Sequence, residues 1–359
     1  MNPPHAIQQP RQMRLPRKFQ AKLRRLRKAG LLRAGPVYVA RAPARLDVMG
    51  GIADYSGGLV LEMPLWRSAW AAVQFCDDKA VTVHSYQAEA EGWSTPVAVS
   101  WSRLAAKRLR RPDTVARIFG ASERWAAYPV GVVYALARWG LMPAGQGVRI
   151  VIDSDVPMGA GIASSGALEV AVAAAAIAAA GARADGLQLA RLCQWAENHI
   201  ALAPCGIMDQ VTAALGRAGH LLALLCQPHN IRGFCRLPAG VIAAGIDTGV
   251  KHAVGGRKYT RTRVATFMGW KIITSAAARS LRAIQPPFGS HLAHTPDNKV
   301  RFRAAQRRKL SVGPVRGVHQ PPRPPKPLFL SCLSRPLQIL EHLARAIGFI
   351  DRKACARPD

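Results

Sequence analysis

A glycine-rich stretch, Pro157-Met-Gly-Ala-Gly-Ile-Ala-Ser-Ser-Gly-Ala-Leu-Glu169, carries the residue types best suited to chemistry. Gly159 and Gly161 let a backbone approach a ligand closely, and Ser164 and Ser165 add two hydroxyl groups. A helix that starts here would present free amides and a partial positive charge, which favour an anion. The stretch therefore predicts a polyphosphate site, although the same glycines could serve only as a turn before a capped helix.

The stretch differs from two common nucleotide motifs. It lacks the Gly-Lys-Ser/Thr ending of the Walker A loop, and Ser164 stands where the dinucleotide pattern needs its third glycine. The loop must therefore be interpreted from its neighbours in the chain.

Those neighbours predict a strand before the loop and a helix after it. The β-branched run 148–152 is typical of a strand, and the alanine-rich segment 167–180 is typical of a buried helix. Residues 87–124 are expected to be irregular. Apolar patterning elsewhere predicts strands at 37–40, 59–65, 81–86, 221–225 and 241–247, and helices at 128–139, 187–200, 204–215, 264–273 and 337–349.

Composition predicts a globular chain with strongly basic flanks. A hydrophobic fraction of 49% over 359 residues is enough for a sizeable core and about two domains. The net charge is +30, but residues 1–45 hold 12 basic and no acidic residues, and residues 271–359 hold 17 and 4. The flanks could bind phosphate backbones, yet they lack interleaved aromatic residues and zinc-finger spacing. Nucleic acid is therefore not the expected partner.

The lengths of the apolar runs and the number of cysteines bear on where in the cell the protein is found. No apolar run free of helix breakers reaches the roughly 18 to 20 residues of a membrane span, so no membrane partner is expected. The seven cysteines form an odd set without a C-x-x-C pair, which fits a reducing environment. We therefore predict a cytoplasmic protein.

Three stretches in order, Arg45–Gly58, Val156–Glu169 and Pro204–Gln210, resemble the galactokinase branch of the GHMP kinases. Pro-Cys-Gly-Ile-Met-Asp-Gln is similar to a galactokinase motif, and Val-Pro-Met-Gly-Ala-Gly-Ile-Ala-Ser-Ser resembles the second motif of the branch. Within the branch, residues 42–57 and 247–256 are most similar to the L-arabinokinase type. The resemblance covers roughly residues 36–273.

The resemblance implies transfer of the γ-phosphoryl group of ATP to the anomeric hydroxyl of a sugar. It implies that Asp209 accepts the hydroxyl proton and that Arg45 lies beside Asp209 and the transferring group. It further implies that Glu197 and Ser165 hold Mg²⁺. The nucleotide-binding residues would be Gly159, Ala160, Gly161, Ile162, Ser164 and Ser165.

Each of these residues also has an ordinary alternative. Asp209 could be a helix cap, Arg45 a surface charge and Glu197 an exposed helix acid. Taken together at their family positions, they favour the kinase interpretation.

The choice of sugar is indicated by two positions at which this chain differs from galactokinases. Galactokinases carry Glu-His where this chain has Gly51 and Ile52, and those side chains reach the sugar near its C6 hydroxymethyl group. Without them nothing pairs with the C6 hydroxyl, which fits L-arabinose, the pentose that lacks this carbon. The resemblance also implies sugar contacts from Asp54, Gly206 and Tyr259, and D-galactose remains the alternative substrate.

The sequence predicts an α+β, two-domain GHMP-kinase-like architecture whose second domain is incomplete. We expect a basic, partly helical and solvated extension at 1–35, an ATP-binding domain at 36–235, the start of a second domain at 236–274 and a poorly ordered tail at 275–359. The family's third glycine-rich motif is not found after residue 273, and the change near Ser275 resembles translation in a shifted reading frame. A catalytically impaired remnant, a sugar sensor and a nucleic-acid binder therefore stay open as competing classes.

Overall fold

The computed structural model describes residues 15–105, 118–238, 240–250 and 257–280, without the side chains of 257–259 and 276–280. Within these residues seven strands form one sheet in the order β4-β3-β5-β2-β6-β7, with β1 paired along β2. The strands are β1 (Tyr38–Met49), β2 (Leu59–Cys76), β3 (Ala80–Ser85), β4 (Val97–Ser100), β5 (Gly147–Ser154), β6 (His220–Leu225) and β7 (Asn230–Arg236).

Long antiparallel pairing around β2 organises the sheet. β2 pairs with β1 along its length, with β6 at its first residues and with β5 at its last residues. Only β3 and β5 pair in parallel among the described strands. The predicted strand 59–65 is thus the first part of an element more than twice as long.

Helices cover the sheet, in keeping with the predicted α+β class. Residues from β1 to β5 and from the helices between residues 101 and 215 share one apolar core. Gly131 packs closely against a neighbouring segment, since a Cβ at that position would lie 3.0 Å from Ile200. The helices are α1 (Arg17–Lys28), α2 (Ala53–Ser56), α3 (Tyr86–Ala90), α4 (Trp101–Ala105), α5 (Ala127–Arg138), α6 (Ser164–Ala179), α7 (Gly186–Ala196), α8 (Met208–Leu215) and α9 (Arg257–Ser280), with a 3₁₀ turn at Ala121–Ala126 and a π turn at Glu197–Ala201.

The N-terminal basic segment packs against the sheet. Phe19 and Leu26 of α1 and the following Leu32 are buried with Ala72 and Val151 of the sheet. Lys22 also pairs with Asp153 of β5 at 2.7 Å. The prediction of a solvated extension is therefore wrong for residues 17–32, because the apolar positions among the basic ones form one buried face.

Two local predictions fail and several stay outside the described residues. Residues 241–247 form no strand, and Ile242 and Ile246 are 54% and 77% exposed. The segment 87–124, predicted to be irregular, contains parts of α3, β4, α4 and the 3₁₀ turn. The predicted helix 337–349 and the rest of the tail lie outside the described part.

The chain divides into two compact units. The first comprises residues 1–238 and 243–270, and the second comprises 239–242 and 271–359. The predicted domain boundaries stay predictions. Across the described residues, no helix is both long and apolar enough to cross a membrane.

Candidate active site

The glycine stretch forms a tight loop between β5 and α6. Gly159 and Gly161 have φ values of 73° and 74°, a region that glycine enters without strain. Ala163, the residue before α6, is also left-handed at φ 60°, and no side chain caps this helix. The first-turn amides of α6 are therefore suited to an anion.

The loop is tied to β1 through the main chain and the side chain of one residue. The Arg45 amide donates to the Ile162 carbonyl at 3.1 Å. The Arg45 guanidinium also reaches the Gly161 carbonyl at 3.4 Å. β1 therefore sets the position of the loop relative to the sheet.

Arg45 pairs with Asp209, a residue 164 positions away in the chain. Its Nε donates to Asp209 Oδ1 at 2.8 Å, and a terminal nitrogen donates to the same oxygen. Arg45 is only 6% exposed, so the surface-charge alternative is wrong. Burial alone would lower the pKa of Arg45, but the charge of Asp209 and the hydrogen bonds to it are the main reason that the pKa is instead raised.

Asp209 lies in the first turn of α8 with its carboxylate turned to Arg45. The helix begins after Ile207, and no side-chain cap hydrogen bond forms there, so the helix-cap alternative does not describe Asp209. A Cβ at Gly166 of α6 would lie 3.1 Å from the Asp209 Cβ. The small residue at 166 thus allows α6 and α8 to bring the glycine loop and Asp209 together.

Glu197 lies in a buried acidic cluster rather than on an exposed helix face. The predicted helix 187–200 is regular only to Ala196, and Glu197 begins the π turn. Gln210 Nε2 donates to Glu197 Oε2 at 2.6 Å and to Glu169 Oε2 at 3.2 Å. Burial and the charge of Asp209 raise the pKa of Glu197, while a Ser165 hydrogen bond is among the contacts that lower it.

Glu169 was missed by the sequence argument. It lies in α6, is completely buried, and its Oε1 has no hydrogen-bond partner. Burial and the neighbouring Glu197 raise the pKa of Glu169 well above its usual range. A single acid in an alanine-rich helix was the signal that could have found it.

The cluster fits a magnesium ion that is shared with phosphates. Among the described residues no group of three or more His, Cys, Asp or Glu side chains could hold a metal by itself. Mg²⁺, however, commonly takes one or two protein oxygens and completes its shell with water and substrate phosphates. Ser165 and Glu197 could supply those oxygens. Burial is the main cause of the raised pKa values of Glu169 and Glu197, and repulsion from neighbouring carboxylates, which a cation would relieve, adds to it.

Asp54 is the buried polar residue of the candidate sugar site. It lies in α2, is 6% exposed, and accepts from the Met208 amide at 3.2 Å. Burial raises its pKa. Gly206 lies against this carboxyl, since a Cβ there would lie 1.6 Å from Asp54 Oδ2.

Two of the remaining predicted sugar contacts, Gly51 and Ile52, are exposed to solvent. Gly51 is exposed with φ 54°, and its amide donates to Asp47 Oδ2 at 2.6 Å. Ile52 is 53% exposed. The side chain of Tyr259 lies outside the described residues, so the structure does not place it at the site.

Glu62 of β2 is a second residue that the sequence argument missed. It is fully buried, and its Oε2 lies 3.2 Å from Arg45 Nε. A lone carboxylate in the apolar run Leu59-Val-Leu-Glu-Met was the available signal. The residue next to it, Arg45, lies on another strand, and the local sequence does not reveal that these two strands pair.

The fold and the loop define a class, that of GHMP kinases. Residues 127–217 match "GHMP kinases N terminal domain", and residues 33–75 match "Galactokinase galactose-binding signature". The chain belongs to the GHMP kinase family, in its galactokinase branch.

Particular relatives sharpen this assignment. An L-arabinokinase of Arabidopsis thaliana is 40% identical over 269 residues, which are 68% of this chain and 26% of that protein. A galactokinase of Streptomyces coelicolor is 36% identical over 255 residues, or 69% of this chain and 60% of the relative. The crystal structure of a Lactococcus lactis galactokinase with galactose superposes with a TM-score of 0.57 at 18% identity, covering 76% of this chain and 63% of the other. The chain thus spans less than two thirds of these relatives.

Proposed function

We propose that the chain is an ATP-dependent sugar 1-kinase that phosphorylates the anomeric hydroxyl of L-arabinose. The observation that carries the proposal is the Arg45–Asp209 pair, which lies against the glycine loop. A carboxylate held beside a guanidinium and a phosphate-binding loop is suited to phosphoryl transfer, where positioning and charge stabilisation do most of the work.

In the proposed reaction, the C1 hydroxyl oxygen attacks the γ-phosphorus of ATP as the bond to the ADP oxygen breaks. Asp209 accepts the hydroxyl proton, and Arg45 holds the Asp209 carboxyl through two hydrogen bonds and offsets negative charge on the transferring group. The glycine loop and the α6 amides bind the ATP phosphates. Mg²⁺, held by Ser165 and Glu197, would neutralise phosphate charge.

L-Arabinose is proposed over D-galactose because of the first-motif residues. Gly51 has no side chain and Ile52 has no polar group, so neither can pair with a C6 hydroxyl. Asp54 and Gly206 would face the ring hydroxyls. The identity to an L-arabinokinase supports this choice, and the identity to galactokinases supports the alternative.

The location proposed for the protein is the cytoplasm. Five cysteines of the described residues are free thiols, which supports a reducing compartment.

The test is ADP release by the full chain with Mg²⁺ and ATP, using L-arabinose and D-galactose separately. We expect turnover with L-arabinose, and a loss of about 10²- to 10⁴-fold in Asp209→Asn. Preference for D-galactose would overturn the argument from Gly51 and Ile52.

A sugar sensor is the second candidate, favoured by the missing third motif. It predicts that L-arabinose raises the thermal unfolding midpoint of the chain while no ADP appears. Absence of both turnover and sugar-dependent stabilisation in folded protein would overturn kinase and sensor alike.

A further inference from the structure

Glu62 is a carboxyl group inside the sheet, beside the reacting groups. It lies on β2 between Asp47 of β1 and Leu222 of β6, and its side chain is fully buried. Gly50 leaves room for it, since a Cβ at that position would lie 2.9 Å from Glu62 Oε1 and 2.8 Å from Asp47 Oδ1. The site is therefore shaped around this carboxyl.

One nitrogen of Arg45 lies close to two carboxyl groups. Arg45 Nε is 2.8 Å from Asp209 Oδ1 and 3.2 Å from Glu62 Oε2. Another nitrogen of the same guanidinium reaches the Gly161 carbonyl. Asp209, the glycine loop and Glu62 thus restrain the planar group together.

Stability alone is a poor explanation for Glu62. A buried carboxyl group whose oxygens make no hydrogen bond costs free energy, and apolar residues of similar size are often better for stability. An arginine side chain has many rotamers to lose when it is held in one orientation, so a third neighbour matters for its placement.

We propose that Glu62 is a positioning residue that fixes the Arg45 guanidinium between Asp209 and the glycine loop. The role in catalysis rests on the proposed kinase function, whereas the effect on Arg45 does not.

The protonation of Glu62 supports this role. Burial raises the pKa of Glu62 to about 10; Arg45 lowers it, and neighbouring carboxylates raise it further. A group with this pKa is a neutral acid at pH 7. Its Oε2 lies 3.2 Å from Arg45 Nε without a hydrogen bond, so it limits the space open to the guanidinium without cancelling the positive charge that Asp209 and a phosphoryl group need. The titratable groups around it are Arg45, Asp47, Asp54, Asp209 and the Cys226 thiol.

Two substitutions at Glu62 separate positioning from folding. Glu62→Gln keeps a neutral polar group of the same shape beside Arg45, whereas Glu62→Leu replaces it with a branched apolar side chain. We expect Glu62→Gln to keep kcat within about 3-fold at pH 7, and Glu62→Leu to lower kcat about 10- to 100-fold with KM values little changed, as expected for misplacement by an ångström or less.

The matched control is Gln74→Leu on the same strand. Gln74 is 2% exposed, lies near the opposite end of β2 from Glu62, and forms hydrogen bonds with the main chain of Arg33. Its loss should lower stability without changing kcat. An equal fall of kcat in Gln74→Leu and Glu62→Leu would overturn the proposal.

A second readout needs no turnover. The ¹³C resonance of the Arg45 guanidinium carbon, assigned with Arg45→Lys, should shift in Glu62→Leu and stay near its wild-type position in Glu62→Gln at pH 7. If Glu62→Leu does not fold, the wild-type resonance should still move as the pH is raised toward 10, and that of Glu62→Gln should not.

An unmoved Arg45 resonance in folded Glu62→Leu, or identical alkaline titrations in wild type and Glu62→Gln, would overturn the proposal. If wild-type protein shows no kinase activity, the proposed function fails by itself, and the resonance still decides whether Glu62 positions Arg45.

Discussion

Replacing Gly206 with alanine should disturb the candidate sugar site through a single contact. A Cβ at this position would lie 1.6 Å from Oδ2 and 2.0 Å from Cγ of Asp54. The φ angle of Gly206 is not in the left-handed region, so alanine meets a lack of space rather than a forbidden backbone. Asp54 must therefore move.

The size of the effect follows from the contact that is lost. To reach van der Waals distance, the carboxyl must retreat by roughly 1.5 to 2 Å. That movement breaks the hydrogen bond from the Met208 amide, 3.2 Å long, and leaves a buried group unpaired. Loss of a hydrogen bond to a charged group costs about 1.5–3 kcal/mol, and the same energy spent on sugar binding would raise KM about 10- to 100-fold.

The assay is a double-mutant cycle by chemical denaturation and sugar titration, using Gly206→Ala, Asp54→Ala and the double variant. Once Asp54 is truncated, Gly206→Ala should cost less than about 0.5 kcal/mol more. Gly120→Ala is the control, because the nearest atom to a Cβ there is 3.7 Å away and belongs to a flexible Glu123 side chain. Equal costs of Gly206→Ala with and without the Asp54 carboxyl would refute the reasoning.

Two further predictions concern stability. Leu26→Ala should lower the free energy of unfolding by about 2–4 kcal/mol, since it empties a buried position between α1 and the sheet. Arg24→Ala is the control, because Arg24 is an exposed residue of the same helix and its loss should change the free energy of unfolding little. Equal denaturation midpoints for the two variants would contradict the packing of α1. Because the pKa of Glu62 is raised from 4.5 to about 10, the folded state holds a proton that the unfolded state releases. Its contribution to stability is therefore full below pH 4.5 and is lost as pH rises toward 10, at no more than about 1.4 kcal/mol per pH unit. Glu62→Gln should lack this loss, and parallel stability curves for the two proteins between pH 5 and 9 would count against it.

The contiguous motifs made the centre of the site predictable. The loop around Gly159 and Gly161, the strand before it and the helix after it are local features, and the structure has them within a few residues of the predicted bounds. Arg45 and Asp209 were expected to meet on the strength of a resemblance, and β1 and α8 do bring them together across 164 positions.

The burial of individual acidic side chains could not be predicted from the sequence. Glu62 and Glu169 look like ordinary acids along the chain. Only the pairing of β2 with β1 and β6 around Glu62, and the packing of α6 against the sheet and neighbouring helices, enclose them. The wrong strand at 241–247 shows the converse, because an apolar pattern without a partner strand leaves Ile242 and Ile246 in solvent. Local periodicity states what a segment could form, and tertiary contacts decide whether it does.

The packing of α1 has a practical consequence for handling the protein. The helix covers Ala72 and Val151, so a chain truncated to begin near residue 36 would expose part of an apolar face of the sheet to solvent. Such faces drive self-association between copies. Helix α1 therefore also keeps the protein soluble. Its apolar side shields the sheet from solvent, and the charges on its outer side repel neighbouring molecules.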